Sequence, residues 1–299
     1  MKKNTAQKEQ TLQADIRLRE FAEQFTFKIA SDKASRYRAY SLRHKVFRQE
    51  LNYALGDNRE VPFENDIHDR HAILCLLNHT PSGVDAGCLR VVVIPGNAAA
   101  PLDQLPLERS CGHSLDHPEL HPSKFNRSSI CEVSRLAVHP AFRRSHDSVI
   151  GLNEQDSQQL SGHEIKPYAP LVGLSLFLAA TAIVGLADRQ NVFAMMEPRF
   201  SRLLKMSGLG FRQVGRVIDY CGPRAAYYID QHQAERDLHD ALRPLYQHIK
   251  DELALQLGKP LSRLSLSDAI PPPGHDASHG SGPGSEHGHN PSVDRSGPE

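Results

Sequence analysis

Ser129-Ile130-Cys131-Glu132-Val133-Ser134-Arg135-Leu136-Ala137-Val138 is an apolar run of strand length that carries two opposite charges. An ionised side chain inside such a run is expensive to bury unless it meets a partner. Candidate partners stand in the runs that precede it. Arg90 opens Arg90-Val91-Val92-Val93 inside the apolar stretch Gly87–Ile94. Asp66 and Asp69 stand on a turn before the run His71–Leu77, and Arg43, with Phe47 four residues on, lies in a helical pattern over Ser35–Glu50. Three acids and three arginines at such places imply a buried or cleft-lining polar cluster.

Further outward, Phe25–Ala30 alternates as a strand. Tyr168–Ala187 has no charged residue and is long enough to span a bilayer, but Pro170 suits the first turn of a helix. Gly173, Ser175, Ala179, Ala180, Ala182 and Gly185 suit close packing on a sheet. The expectation is therefore a buried helix over Leu171–Ala187 and no membrane span. A short strand follows at Val192–Met196, then a helix opened by Glu197-Pro198 and closed by Gly208 and Gly210. Phe211–Tyr220 and Arg224–Ile229 read as paired strands around a Gly-Pro turn, and Leu238–Leu257 as an amphipathic helix. The order β-α-β-β-β-α-β-α-β-β predicts an α/β fold, a mixed sheet with helices on its faces.

Composition narrows the functions. Among 299 residues, 35 basic and 35 acidic side chains cancel, which argues against a nucleic-acid footprint. The five cysteines include no Cys-x-x-Cys pair, so reduced thiols, no metal centre and a cytoplasmic location are expected. Residues 1–24 read as a polar lead-in without a signal-peptide core. Residues 25–265 read as one domain with insertions near 95–127 and 145–167. Residues 266–299 are rich in Pro, Gly, Ser and His, including His275, His279, His287 and His289, and are expected to be a disordered tail.

Arg43, Phe47, Asp66, Asp69, Arg90, Glu132 and Arg135 resemble, spacing for spacing, the signature of acyl-homoserine-lactone (autoinducer) synthases and long-chain N-acyl amino acid synthases. The element order resembles the Gcn5-related N-acyltransferase (GNAT) fold. From Val172 through Ala194-Met195-Met196-Glu197-Pro198 to Gly222-Pro223-Arg224 the chain is similar to acyltransferases associated with the PEP-CTERM/exosortase system. These resemblances imply a mostly antiparallel sheet with splayed fourth and fifth strands, between which the thioester arm of the donor enters. Two departures stand out: Tyr53 where the lactone synthases carry tryptophan, and the Pro- and His-rich insertion Pro95–Arg127. Both favour a free amino acid or other small amine over S-adenosylmethionine as acceptor.

The chemistry of amide formation from a thioester assigns roles. It needs a neutral amine and a route for its proton; Glu132 is the candidate base, directly or through one water. Along a regular strand Glu132 and Arg135 face opposite ways, so both serve one site only if a bulge resets the pleat. Glu132, Ser134 and Arg135 are the candidate catalytic group. Arg43, Asp66, Asp69 and Arg90 are expected to pair as an electrostatic cluster, with Phe47 and Tyr53 lining the acceptor pocket or simply the core. Backbone N–H groups exposed at the splay suit the thioester oxygen.

Phe142-Arg143-Arg144-Ser145-His146-Asp147-Ser148 offers no glycine cradle for a pyrophosphate, which favours an acyl-carrier protein over acyl-coenzyme A as donor. No cofactor is bound on this reading; the acyl-phosphopantetheine thioester is a substrate. Carrier proteins are acidic, and Arg143, Arg144, Arg199, Arg202 and Lys205 are the candidate docking residues. Two alternatives stay open: a lactone synthase using S-adenosylmethionine, and a non-catalytic acyl-binding regulatory module.

Overall fold

The computed structural model of the chain describes residues 13, 16–56, 60–143, 154–165 and 167–257. Arg144, the first part of the 145–167 insertion and the 266–299 tail lie outside the described residues. A helix α1 (16–24) leads directly into the first strand. The strands are β1 (Phe25–Ile29), β2 (Ala72–His79), β3 (Val84–Val93), β4 (Ile130–Val138), β5 (Asn191–Met196), β6 (Arg212–Gln213), β7 (Ile218–Asp219) and β8 (Pro223–Asp230). They lie in the order β1-β2-β3-β4-β5-β8-β6, with β7 paired to β8. Every pairing is antiparallel except that of β4 with β5, which is parallel. Both faces of the sheet are covered, so β2 and β3 are buried along nearly their whole length and show no polar alternation.

One face packs on α5 (Ala169–Leu186) and α8 (Arg243–Leu257); Leu89 and Val91 of β3 and Cys131 and Val133 of β4 point that way. Among the described residues α5 is the one helix long and apolar enough to cross a membrane, with mean hydropathy 2.1, yet 56% of it is buried inside the fold. A Cβ on Gly87 of β3 would stand 2.7 Å from Leu176 Cδ1, so this glycine allows the helix to lie directly on the sheet.

The other face packs on α2 (Lys33–Arg43) and on the insertion. Helix α2 starts where Asp32 accepts the Ser35 N–H and the Ser35 hydroxyl reciprocates. The expected Ser35–Glu50 helix is α-helical only to Arg43. It continues as a π-helical turn, His44–Glu50, closed by the Leu51 N–H on the Val46 carbonyl at 3.1 Å. The Pro95–Arg127 insertion is folded and contains α3 (Pro106–Cys111). Its Leu105 and Leu107 pack with Ile130, Phe193, Ala226 and Tyr228.

Three expectations need correction near the C-terminus. Phe211–Tyr220 is two short strands, because Gly215 lies against the Ser114 carbonyl and breaks the run. Leu238–Leu257 is helical from Arg243, after a 3-10 turn at Asp240–Leu242. Helix α7 (Gln231–Asp237) was not expected, since Gln-His-Gln-Ala-Glu-Arg-Asp has no apolar stripe.

Helix α6 (Pro198–Met206) ends in a Schellman motif: Leu209 N–H donates to the Leu204 carbonyl at 3.0 Å, and Gly208 N–H to that of Lys205 at 3.1 Å. Gly208 has φ +93°, and a Cβ there would lie 2.0 Å from the Asp237 carbonyl oxygen. Gly208→Ala is therefore expected to destabilise the protein by at least ~2 kcal/mol in urea titrations, from left-handed strain plus a backbone clash. A loss under half of that would mean the turn relaxes freely.

Candidate active site

The two-step interval Cys88–Arg90 on β3 is matched by the three-step interval Ser134–Ala137 on β4. The surplus residue is a β-bulge, and Arg135 within it adopts φ +52°. The pleat is reset there: Ala137 returns to the α2 side, and Arg135 reaches the same carboxylates that hold Arg90. Glu132, Ser134 and Arg135 thus share one face of β4, the condition that their odd spacing imposed.

On that face three guanidiniums and three carboxylates pair off. Arg43, at the end of α2, donates from Nε to Glu64 at 2.5 Å and from Nη1 and Nη2 to Asp69 at 2.7 and 3.0 Å. Arg90 donates from Nη1 to Asp66 at 2.6 Å, lies 3.2 Å from Asp69, and donates from Nε to the Ser134 hydroxyl at 3.1 Å. Arg135 closes the set, with Nε to Glu64 and Nη2 to Asp66, each at 3.0 Å. Arg43 also sits over the Tyr40 ring at 5.4 Å. Arg90 Nη2 is buried without a partner, an N–H available to a ligand or a water.

The spacing of the two aspartates has a local cause. Asp66 caps the 3-10 turn Ile67–His71, and Asp69 reaches back to accept the Asp66 N–H at 2.8 Å. Burial alone would raise Glu64 and Asp66, but the guanidiniums outweigh it. Arg43 and Arg135 hold Glu64 at about 2, and Arg90 and Arg135 hold Asp66 far below the usual carboxylate range. Such a cluster is neutral and rigid; on its own it performs no proton chemistry.

Glu132 is the fourth acid on this face, and none of the three cluster guanidiniums bonds to it. It is 2% exposed and forms no ion pair among the described residues; its Oε2 accepts the Leu107 N–H of α3 at 2.7 Å. Burial pushes its carboxyl up to about 7, against the pull of that N–H and of Arg90 and Arg135. A carboxylate poised near neutrality and buried beneath a helix is suited to take and release a proton.

Glu132 also lies where the sheet opens. The β4–β5 pairing covers only Ile130–Val133 against Asn191–Ala194; β4 runs on to Val138 and β5 to Met196 without pairing to each other. Around Glu132 stand Tyr220, whose hydroxyl burial pushes up and Arg135 pulls down, and Cys111 of α3, raised to about 11 by burial and then by Glu132. Phe47 is buried in the core beneath α2. Its ring stacks on Tyr53 at 6.4 Å, and Arg224 lies 5.6 Å over the Tyr53 ring. Among the described residues no group of three or more His, Cys, Asp or Glu is arranged to hold a metal.

Residues 42–150 match the acetyltransferase (GNAT) domain family. The matched span contains the whole ion cluster, the bulge and Glu132, and the sheet with its single parallel β4–β5 pair is the GNAT fold. No curated relative matches at the level of sequence. Among solved structures the chain is similar to FeeM, an N-acyl amino acid synthase from uncultured soil microbes (15% identity, 73% of this chain and 97% of that one, TM-score 0.46). It is also similar to the acyl-homoserine-lactone synthase LasI (16%, 72% and 94%, 0.48). A third is BjaI, a CoA-dependent acyl-homoserine-lactone synthase solved with SAM and isopentyl-CoA (16%, 76% and 89%, 0.47). Likeness at this level fixes neither donor nor acceptor.

The sequence-based residues are not all placed as expected. The third paired acid is Glu64, not Glu132. Its signal was weak, because Val61–Asn65 is not an apolar run, although Glu64 and Asp66 alternate as extended chain does. Ser134 serves Arg90. Arg143 is not a free surface cation: it donates twice to the Val138 carbonyl, at 2.9 and 2.7 Å, and pairs with Glu50 at 2.5 Å. Arg199, Arg202 and Lys205 are exposed on α6 beside exposed Leu203 and Met206, with Arg199 also bonded to Glu197 at 2.7 Å. The contributions of α3, Tyr220 and Arg224 to this site were not anticipated.

Proposed function

We propose that the protein is an N-acyltransferase that moves a long-chain fatty acyl group from an acyl-carrier-protein thioester to the amine of an amino acid or similar small acceptor. One observation carries this: a buried carboxylate without an ion pair among the described residues, raised to about 7, beside the parting of β4 and β5. In this reading the thioester arm enters at the parting, and β4 backbone N–H groups beyond Val133 receive the carbonyl oxygen as charge builds on it. Glu132 takes a proton from the acceptor ammonium, the amine nitrogen attacks the thioester carbon, and the carbon–sulfur bond breaks as the second proton lost by nitrogen passes to the departing sulfur, releasing the carrier thiol. The Arg43–Glu64–Asp69–Arg90–Asp66–Arg135 cluster supplies no proton. It fixes the bulge of β4 and the π-helical turn against which the acceptor sits.

The donor face in this reading is α6. Arg199, Arg202 and Lys205 form a basic surface for an acidic carrier, with Leu203 and Met206 as its apolar centre. Reversing all three charges to glutamate is expected to raise KM for acyl-carrier protein by about tenfold, with a weaker dependence on salt, and to leave KM for acyl-coenzyme A nearly unchanged. Equal effects on both donors would remove α6 from carrier recognition. A working place beside a PEP-CTERM/exosortase system belongs to the same proposal and rests on the resemblance from Val172 to Arg224.

The deciding experiment is a mass-spectrometric product search with purified protein, long-chain acyl-carrier protein, pooled amino acids and, separately, S-adenosylmethionine. An N-acyl amino acid with released carrier thiol is the expected result. A lactone would replace the acceptor, and an intact thioester in every pool would turn the reading toward an acyl-binding module.

A further inference from the structure

Every arginine of the ion cluster is committed to a carboxylate, whereas Arg224, on the same side of the sheet, is not. Arg224 is the second residue of β8, next to Ala225, which pairs with Met196 at the end of β5. Alternation along β8 sends Ala225 and Tyr227 into the core with α5 and Ala226 and Tyr228 to the opposite face, with Ile130 and Phe193. Arg224 therefore belongs to the face of Glu132. Its guanidinium lies 5.6 Å over the Tyr53 ring, and its only hydrogen bond among the described residues is a long one, 3.4 Å from Nε to the Cys221 carbonyl. It is half-buried and forms no ion pair among the described residues. Cys111 of α3, itself buried, lies within electrostatic reach of both Glu132 and Arg224.

We propose that Arg224, seated on Tyr53, binds the carboxylate of the acceptor and so selects amino acids over simple amines. This deepens the acyltransferase reading and rests on it. A half-buried guanidinium without an anion is an incomplete pair, and a ligand carboxylate completes it with charge-assisted hydrogen bonds. Within the paired cluster each arginine is already held by a carboxylate at 3.0 Å or less, and the unpartnered Arg90 Nη2 is fully buried. Arg224 and Glu132 then receive the two ends of one zwitterion, the guanidinium taking the carboxylate while the buried acid takes the ammonium proton. Tyr53 supplies the flat apolar backing that keeps the guanidinium plane turned to the ligand. Recognition of this kind rejects an acceptor that lacks the carboxylate more strongly than a hydrophobic pocket rejects a missing methylene.

The test uses the full chain and two matched panels, single amino acids and the amines formed by their decarboxylation. Binding is read as a thermal shift and turnover as carrier thiol release. The wild type is expected to be shifted by amino acids and not by the matched amines. Arg224→Met is expected to lose that shift, and its preference for the acid over the amine, as the ratio of kcat/KM values, should fall about 10- to 100-fold. Arg224→Lys should recover part of the preference, which a variant that merely misfolds would not. An amino-acid shift that survives in Arg224→Met, or a wild type that responds equally to both panels, overturns the assignment. Amino-acid binding that depends on Arg224 while the thioester stays intact would leave this site standing and sink the transferase reading alone.

Discussion

Glu132→Gln is expected to lose about 10²–10⁴-fold in kcat/KM while making the folded protein more stable above neutral pH. Both effects follow from one carboxyl group. Folding raises its pKa from 4.5 to about 7 because burial penalises the anion. Between those two values the folded chain holds a proton that the unfolded chain has released, so stability falls as pH rises through that window and levels off above it. At 1.36 kcal/mol per pKa unit the penalty is about 3 kcal/mol on the alkaline side. Glutamine carries no charge to bury and can still accept the Leu107 N–H, so the variant escapes most of that penalty. The wild-type kcat/KM should rise with pH on a limb centred at about 7, and that limb should vanish in the variant. Urea unfolding at pH 5 and pH 8 supplies the second half: the variant gains at pH 8 and little at pH 5. Near-normal turnover would remove Glu132 from the mechanism, and a variant less stable than wild type at pH 8 would mean that the anion has a partner in solution.

How much of this site was readable beforehand follows from what kind of signal each part leaves. Arg43, Asp66, Asp69, Arg90, Glu132 and Arg135 could be found because charge inside or beside apolar runs is a local pattern. The need for a bulge was also local, since an odd spacing between two residues required on one face leaves no other solution. The bulge's execution, Arg135 at positive φ, leaves no mark in composition. Glu64 was missed because its burial is made by the loop that carries it. Arg48 pins that loop through the carbonyls of Leu55 and Phe63 at 2.9 and 3.0 Å, contacts that no periodicity announces. The insertion was read as a departure from a pattern, yet Leu105 and Leu107 bury it and its backbone closes over Glu132. The same division holds for the fold. Strands with continuous apolar runs were found to within a few residues. The two-residue strands β6 and β7 and the polar helix α7 were not, because tertiary contacts make them rather than their own sequence.

Arg43→Met is expected to destabilise the protein by about 3–5 kcal/mol at pH 7. The side chain is 1% exposed, and methionine nearly fills its volume, so lost packing is a minor part. The cost comes from what remains: Glu64 and Asp69, both buried, each lose the guanidinium that faced them at 2.5 and 2.7 Å. Lysine is not expected to rescue, because one ammonium cannot reproduce a fork that engages two carboxylates at once. The pH dependence separates this cause from simple cavity formation. In the wild type the Glu64 carboxyl is lowered from 4.5 to about 2, so its contribution, about 3 kcal/mol, is fully present above 4.5 and is lost as pH falls toward 2. Without Arg43 the stranded Glu64 carboxyl protonates more readily in the folded state, and protonation relieves the variant. The gap between wild type and variant should therefore narrow between pH 7 and pH 4 in parallel urea titrations. A gap that stays constant would assign the loss to packing, and a gap below 1 kcal/mol would mean that Arg135 and Arg90 hold Glu64 and Asp69 without it. A cluster that behaves as expected is one whose charges are exhausted among themselves, and that exhaustion is what leaves Glu132 unbound by its three guanidiniums and free to work near neutral pH.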